Sequence, residues 1–151
     1  MSKIKLSQTT TLTPQQYIAG LTDFGEGRNK VFSNSADDYL KVHHVGATDA
    51  DVTEGSGGIW ERLHYDWSNP DRVVLTTTES NTWGGASGYT YTFTRSPEGV
   101  TDVKVTIVRQ GKTAKGRVLG LVLGTVGKGV LKKSFIGSVK AIEARNNGAQ
   151  P

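Results

Sequence analysis

The 151-residue chain contains no cysteine, which excludes a disulfide framework and any thiolate nucleophile or ligand. Histidine is nearly missing as well. Its three copies, His43, His44 and His64, show neither an HxxxH nor an HExxH spacing, so no metal is expected, and no glycine fingerprint calls for a cofactor. The first ten residues, MSKIKLSQTT, have no apolar core of secretory length, and a cytoplasmic protein with nothing to be cleaved is expected. A long hydrophobic run is absent too. In the most apolar region the uncharged stretch between Arg117 and Lys128 is ten residues. As a helix that is about 15 Å, half of a bilayer core that takes roughly 20 apolar residues to cross. A transmembrane reading fails on length.

Acidic residues are scarce in one place. Lys112 to Arg145 holds eight basic residues and one acidic, Glu143, whereas Met1 to Gly111 holds ten basic and thirteen acidic. A basic segment of this kind attracts phosphate or anionic lipid head groups, or it forms a solvated helix face on a mildly acidic sheet.

What is present is periodicity. KIKLSQTTTL alternates Ile4 and Leu6 with polar residues, as a half-buried strand does. Thr13-Pro14 then supplies an N-cap hydroxyl and a first-turn proline for a short helix to about Leu21, with Tyr17, Ile18 and Leu21 on one side. Gly20, Gly25 and Gly27 interrupt the next stretch, so that Thr22 to Ser35 reads as a broken or second short helix. From Asp38 to Gln110 the period becomes two, with strands near Tyr39–Gly46, Ala50–Glu54, Ile59–Trp67, Arg72–Ser80, Gly88–Arg95 and Asp102–Gln110. Turn residues separate them, as in Gly55-Ser56-Gly57-Gly58, Asn69-Pro70-Asp71, Trp83-Gly84-Gly85 and Pro97-Glu98-Gly99. Parity puts Leu63, Tyr65, Trp67, Val73, Leu75, Tyr89, Tyr91, Phe93, Val103, Val105 and Ile107 on covered faces, and Thr76, Thr78, Thr90, Thr92, Thr94, Lys104 and Thr106 on the wet one. At this length a single domain over 1–151 is expected, with 146–151 as a frayed tail.

One long helix, from about Thr113 to Asn146, remains to cover the sheet. Its first half carries Val118, Leu119, Val122, Leu123 and Val126 on one broad side, with Gly116, Gly120, Gly124 and Gly127 in an adjoining stripe. Its second half is apolar at Leu131, Phe135, Val139 and Ile142, so a kink or a change of burial is expected at Gly127-Lys128-Gly129. GTVGKGV is not a phosphate loop, because Gly129 rather than Ser or Thr follows Lys128. Each helical glycine costs roughly 1 kcal/mol, and the stripe is expected to compensate by close packing on the sheet or by leaving internal space.

Four stretches, LTPQQYIAGLTDF, WERLHYDWSNPDRVVLTT, YTYTF and GRVLGLVLGTVGKGVLKKSFIGSVKAIEARN, resemble the START-like (SRPBCC) superfamily, in particular its polyketide cyclase/dehydrase and lipid-transport branch. The resemblance implies an α+β helix-grip fold, a curved antiparallel sheet wrapped around a long C-terminal helix with two short helices after the first strand. It also implies a cavity between sheet and helix that binds a lipid, sterol or polyketide-like molecule. The lining would be Leu63, Tyr65, Trp67, Leu75, Tyr89, Tyr91, Phe93, Val105, Ile107 and Arg109, roofed by Leu119, Leu123, Val126 and Val130. The alternative is that these residues fill a solid core.

Glu61 and Arg109 have inward parity, and a buried carboxylate must be paired or protonated. Either the two form an ion pair, or the local register is inverted, or they make a polar anchor at one end of the cavity. Glu61 or His44 would then serve as acid or base if the protein were a cyclase or dehydratase. His43 and His44 are adjacent, so only one of them can face inward, and His64 has outward parity. No Ser–His–Asp order supports a named reaction. The expected partners are a hydrophobic small molecule and, through Lys128, Lys132, Lys133 and Lys140, a transient anionic membrane surface. Nucleic acid is not expected, since aromatics and lysines fall on different surfaces.

Overall fold

A computed structural model describes residues 1–125 and 127–148. The chain forms β1 (Ser2–Thr10), α1 (Pro14–Leu21), α2 (Arg28–Val31), β2 (Lys41–Val45), β3 (Asp49–Ser56), β4 (Ile59–Asn69), β5 (Arg72–Ser80), β6 (Gly88–Arg95), β7 (Thr101–Arg109), α3 (Ala114–Gly124) and α4 (Lys128–Gly148). The seven strands make one antiparallel sheet in the order β1-β7-β6-β5-β4-β3-β2. The chain thus meanders from β2 to β7, and β1 closes onto β7 by pairing Ile4 with Ile107 and Leu6 with Val105.

Alternation sorts the sheet as parity requires. Leu63, Tyr65, Val73, Leu75, Tyr91, Phe93, Val103, Val105 and Ile107 are buried, while Thr76, Thr78, Thr92, Thr94 and Lys104 are exposed. One irregularity matters for chemistry. The β4–β5 register shifts between Arg62 and Leu63, so that Glu61 faces Ser80 while Leu63 faces Thr77. A bulge of this type redirects side chains, and here Ser80 turns inward after two exposed residues, Thr78 and Glu79; Thr77, inward by the same alternation as Val73 and Leu75, donates its hydroxyl to Glu61 Oε2 at 3.2 Å.

α1 is fixed by a capping box. Thr13 Oγ1 accepts from the Gln16 amide, and Gln16 Oε1 accepts from the Thr13 amide, with Pro14 opening the first turn. Its fully buried Tyr17 lies against Phe93, ring centroids 5.4 Å apart, and Tyr91, 6.0 Å apart. α4 crosses the inner face with Phe135, Val139 and Ile142 buried and Leu131 half-buried, the set its periodicity predicts. A Cβ at Gly20 would come within 2.9 Å of Ile142, so α1 and α4 meet at that glycine. Ser138 Oγ donates to the Val31 carbonyl, tying α4 to α2. α4 continues through Gly148; the end of the expected frayed tail, 149–151, lies outside the described residues.

Two expectations for the C-terminal helix need correction. The single helix is two, because Thr125 leaves helical geometry with φ −118° and ψ −89°, and the Gly127 amide turns back to the Val122 carbonyl at 2.8 Å. The break falls just before the Gly127-Lys128-Gly129 position at which the kink is predicted. The second correction is the face. Of the expected roof, Leu123 is half-buried and lines a hollow, whereas Leu119 is half-buried and lines neither; Val118 and Val122, on the same broad side, point to solvent. The glycine side faces in. A Cβ at Gly116 would lie 2.8 Å from the Thr82 carbonyl, at Gly124 2.8 Å from Ser2 Oγ, and at Gly120 3.4 Å from the Arg109 carbonyl. Ser2 Oγ donates to the Gly120 carbonyl at 2.5 Å. α3 therefore lies backbone-close to β1 and the end of β7, and close packing is what offsets its glycines.

Candidate functional site

Two arginines are buried on the inner face, each against a glutamate, and their surroundings differ. Arg28, at the start of α2, donates from Nε to Glu54 Oε1 at 2.7 Å, from Nη1 to the carbonyls of Leu21 and Asp23, and from Nη2 to the Tyr65 hydroxyl at 3.0 Å. Tyr65 in turn donates to Glu54, and the guanidinium lies 4.7 Å from the ring centroids of both Phe24 and Phe32. Burial alone would lower the Arg28 pKa, but Tyr65 and Glu54 outweigh it and raise it. Every nitrogen of this guanidinium is used, which is the condition under which a buried charge is tolerated. The cluster is a strut that joins the α1–α2 connection to β3 and β4.

Arg109, at the end of β7, is buried without such provision. Nη1 donates to Glu61 Oε2 at 2.7 Å, while Nε and Nη2 have no hydrogen-bond partner among the described residues. The guanidinium sits 4.5 Å from the Tyr89 ring centroid and 5.2 Å from that of Trp83, contacts that stabilise the cation but do not satisfy its N–H groups. Burial pulls the Arg109 pKa down, and Tyr89 and Glu61 together push it above its ordinary value. An unsatisfied buried donor costs about 1–3 kcal/mol, so this is an expensive place to leave two.

The Glu61–Arg109 pair lines a hollow of about 200 Å³ between β3, β4 and β7 on one side and Leu123 and Leu131 on the other. A second hollow of about 190 Å³ shares Asn34, Tyr89, Ile107 and Leu131 with it as wall residues, and reaches Tyr17, Tyr91 and Phe135. The Tyr17 hydroxyl on its wall is likewise without a partner among the described residues, and burial holds that phenol well above the usual tyrosine range. Each hollow by itself is smaller than the usual small-molecule site of about 300–1,000 Å³. Their walls are mainly apolar with a few polar atoms.

Of the residues singled out from the sequence, Leu63, Arg109, Leu123 and Glu61 line the first hollow, Tyr91, Val105 and Val130 the second, and Tyr89 and Ile107 both. Tyr65 belongs to the Arg28 strut, Leu75 and Phe93 are core, and Trp67 and Leu119 are half-buried elsewhere. Val126 lies outside the described residues. His44 is on the exposed edge strand β2, 3.9 Å from Asp49, and His43 bonds Thr53 there at 2.7 Å. β2 covers no part of the interior, so neither histidine faces it. Trp83, read from its Gly-Gly neighbours as a turn residue, is buried on the wall of the first hollow. Nothing in the sequence marks Arg28 or Glu54, whose partnership spans 26 positions.

No family model matches the chain, and no curated protein matches it. Solved structures do. The chain superposes on TTHA0849 from Thermus thermophilus with a TM-score of 0.70 at 14% identity, covering 99% of each chain. For a START superfamily protein from Mycobacterium smegmatis the TM-score is 0.69 at 9% identity, over 94% of this chain and 99% of that one. The fold is the START-like helix-grip fold. A third superposition, on the ZhuI aromatase/cyclase from Streptomyces sp. R1128, gives 0.71 at 12% identity, over 98% of this chain and 97% of that one. At these identities the START-like likeness concerns architecture, and the hollows must be judged on their own side chains.

Proposed function

We propose that this chain binds a hydrophobic small molecule of lipid, sterol or polyketide type in the paired hollows, with Arg109 as the anchor for an oxygen on that molecule. The observation that supports this is the pair of unpartnered nitrogens, Nε and Nη2, on a buried guanidinium in a mainly apolar wall. The Glu61–Arg109 pair is neutral as a whole, so it offers two donors without a net charge to balance a buried anion. A neutral acceptor such as a ketone or ester carbonyl therefore suits it better than a carboxylate. The Tyr17 hydroxyl offers a second polar contact further along.

A cyclase or dehydratase would use the same hollow, and one structural neighbour bears an aromatase/cyclase name. Binding is the reading favoured here, because Glu61 is clamped by Arg109, Glu54 is clamped by Arg28, and His44 faces solvent. The test is displacement of an apolar fluorescent dye by a long-chain methyl ketone and by the alkane of equal length. Wild type should prefer the ketone by about tenfold or more, the worth of one hydrogen bond to a charged donor. The Glu61→Leu/Arg109→Met double variant, which removes the pair as a unit, should lose that preference. Displacement by neither ligand, or equal displacement by both in wild type, would reject the anchor.

A further inference from the structure

With Gly116, Gly120 and Gly124 turned inward, α3 can direct its large side chains only outward. Val118 is 61%, Leu121 62% and Val122 45% exposed. At about 100° per residue these three form one stripe, bordered by Arg117 on one side and Lys115 on the other. Beyond the break, Val130 is 71% exposed beside exposed Lys128, Lys132 and Lys133, and it is also a wall of the second hollow. No acidic residue occurs between Asp102 and Glu143. An apolar stripe flanked by uncompensated basic residues is the pattern of a helix lying in a lipid–water interface. Among the described residues no helix is long and apolar enough to cross a membrane, so the contact would be peripheral.

We propose that the outer face of α3 and the first turn of α4 dock the protein on an anionic lipid surface, with Val118, Leu121, Val122 and Val130 in the apolar boundary and the five flanking cations at the head groups. Charge complementarity selects this occupant, because a second copy would bring the same uncompensated positive charge to the contact. The docking reading stands on the outside of the helix and does not depend on what the hollows bind. It does place Val130, at the edge of the second hollow, next to the lipid phase.

The experiment is co-sedimentation of the full chain with phosphatidylcholine vesicles and with vesicles that also contain phosphatidylglycerol, at low and high salt and with no ligand added. Binding is expected only with phosphatidylglycerol present and should weaken at high salt. Leu121→Ser and Val118→Ser should each lower partitioning about tenfold, and Lys132→Gln about fivefold, with unchanged melting temperature and unchanged dye displacement from the hollows. Absence of binding to phosphatidylglycerol vesicles, or binding indifferent to Leu121→Ser, would overturn the proposal. So would a dimer in sedimentation velocity that Leu121→Ser dissolves, since the face would then belong to a second copy.

Discussion

Alanine scanning of the glycines offers the sharpest check on how α3 is seated. In an exposed helix interior, Gly→Ala gains about 1 kcal/mol from backbone entropy. Gly137, in the middle of α4 with open space where its Cβ would stand, should show that gain in full. At Gly120 the new methyl would meet the Arg109 carbonyl at 3.4 Å, an ordinary contact, so most of the gain should survive. Gly116→Ala is different. Its Cβ would sit 2.8 Å from the backbone carbonyl of Thr82, which cannot rotate away, and 3.3 Å from the Gly111 Cα. Relieving that overlap requires α3 to lift, an overpacking cost of about 1–3 kcal/mol that cancels or exceeds the propensity gain. Chemical denaturation should therefore rank Gly137→Ala above Gly120→Ala above Gly116→Ala, with about 1–3 kcal/mol separating the first from the last at unchanged m-value. If Gly116→Ala stabilises as much as Gly137→Ala, α3 does not lie against Thr82 and the explanation of the glycine stripe fails.

The buried polar groups yield two more expected outcomes. Arg28→Met should cost about 3–5 kcal/mol in urea denaturation, because it strands Glu54 in the interior, whereas Glu61→Leu/Arg109→Met should be near neutral; a cost below about 1 kcal/mol for Arg28→Met would mean the strut is not structural. Burial, the largest cause in each case, raises the phenol pKa of Tyr17, Tyr65, Tyr89 and Tyr91 above the usual 10.0. The folded state thus binds more protons than the unfolded chain once pH exceeds that value, so stability is intact below it and falls as pH rises beyond it. Phenolate absorbance of these four should appear together with loss of the fold, and phenolate formation while near-ultraviolet circular dichroism is still native would contradict their burial.

The strands were legible because alternation at period two is a local signal. Arg72–Ser80 and Gly88–Arg95 stand where the pattern places them, and Leu131, Phe135, Val139 and Ile142 mark the inner face of α4. The outward face of α3 was not legible. Val118 and Val122 look like core residues to any rule that equates apolar with inside; close packing of the glycine stripe was one of two alternatives open in the sequence, and the 2.8 Å that would separate a Cβ at Gly116 from the Thr82 carbonyl decides for it. The β4–β5 bulge that turns Ser80 inward after exposed Thr78 and Glu79 is set by pairing between strands and leaves no mark in either strand alone.

The candidate site divides the same way. Inward parity of Glu61 and Arg109 comes from the alternation of β4 and β7, and their pairing is a natural consequence of two opposite charges on one covered face. Which nitrogens of Arg109 lack a partner, and that Arg28 has all of its own, depends on where Leu21, Asp23, Tyr65 and Tyr89 arrive in space. Residue order alone determined the element types, the faces of the sheet and the basic character of the C-terminal third, because each is written in short-range spacing and composition. The orientation of α3, the two hollows and the difference between the arginines were decided only by the tertiary structure, because each depends on distances between residues far apart in the chain.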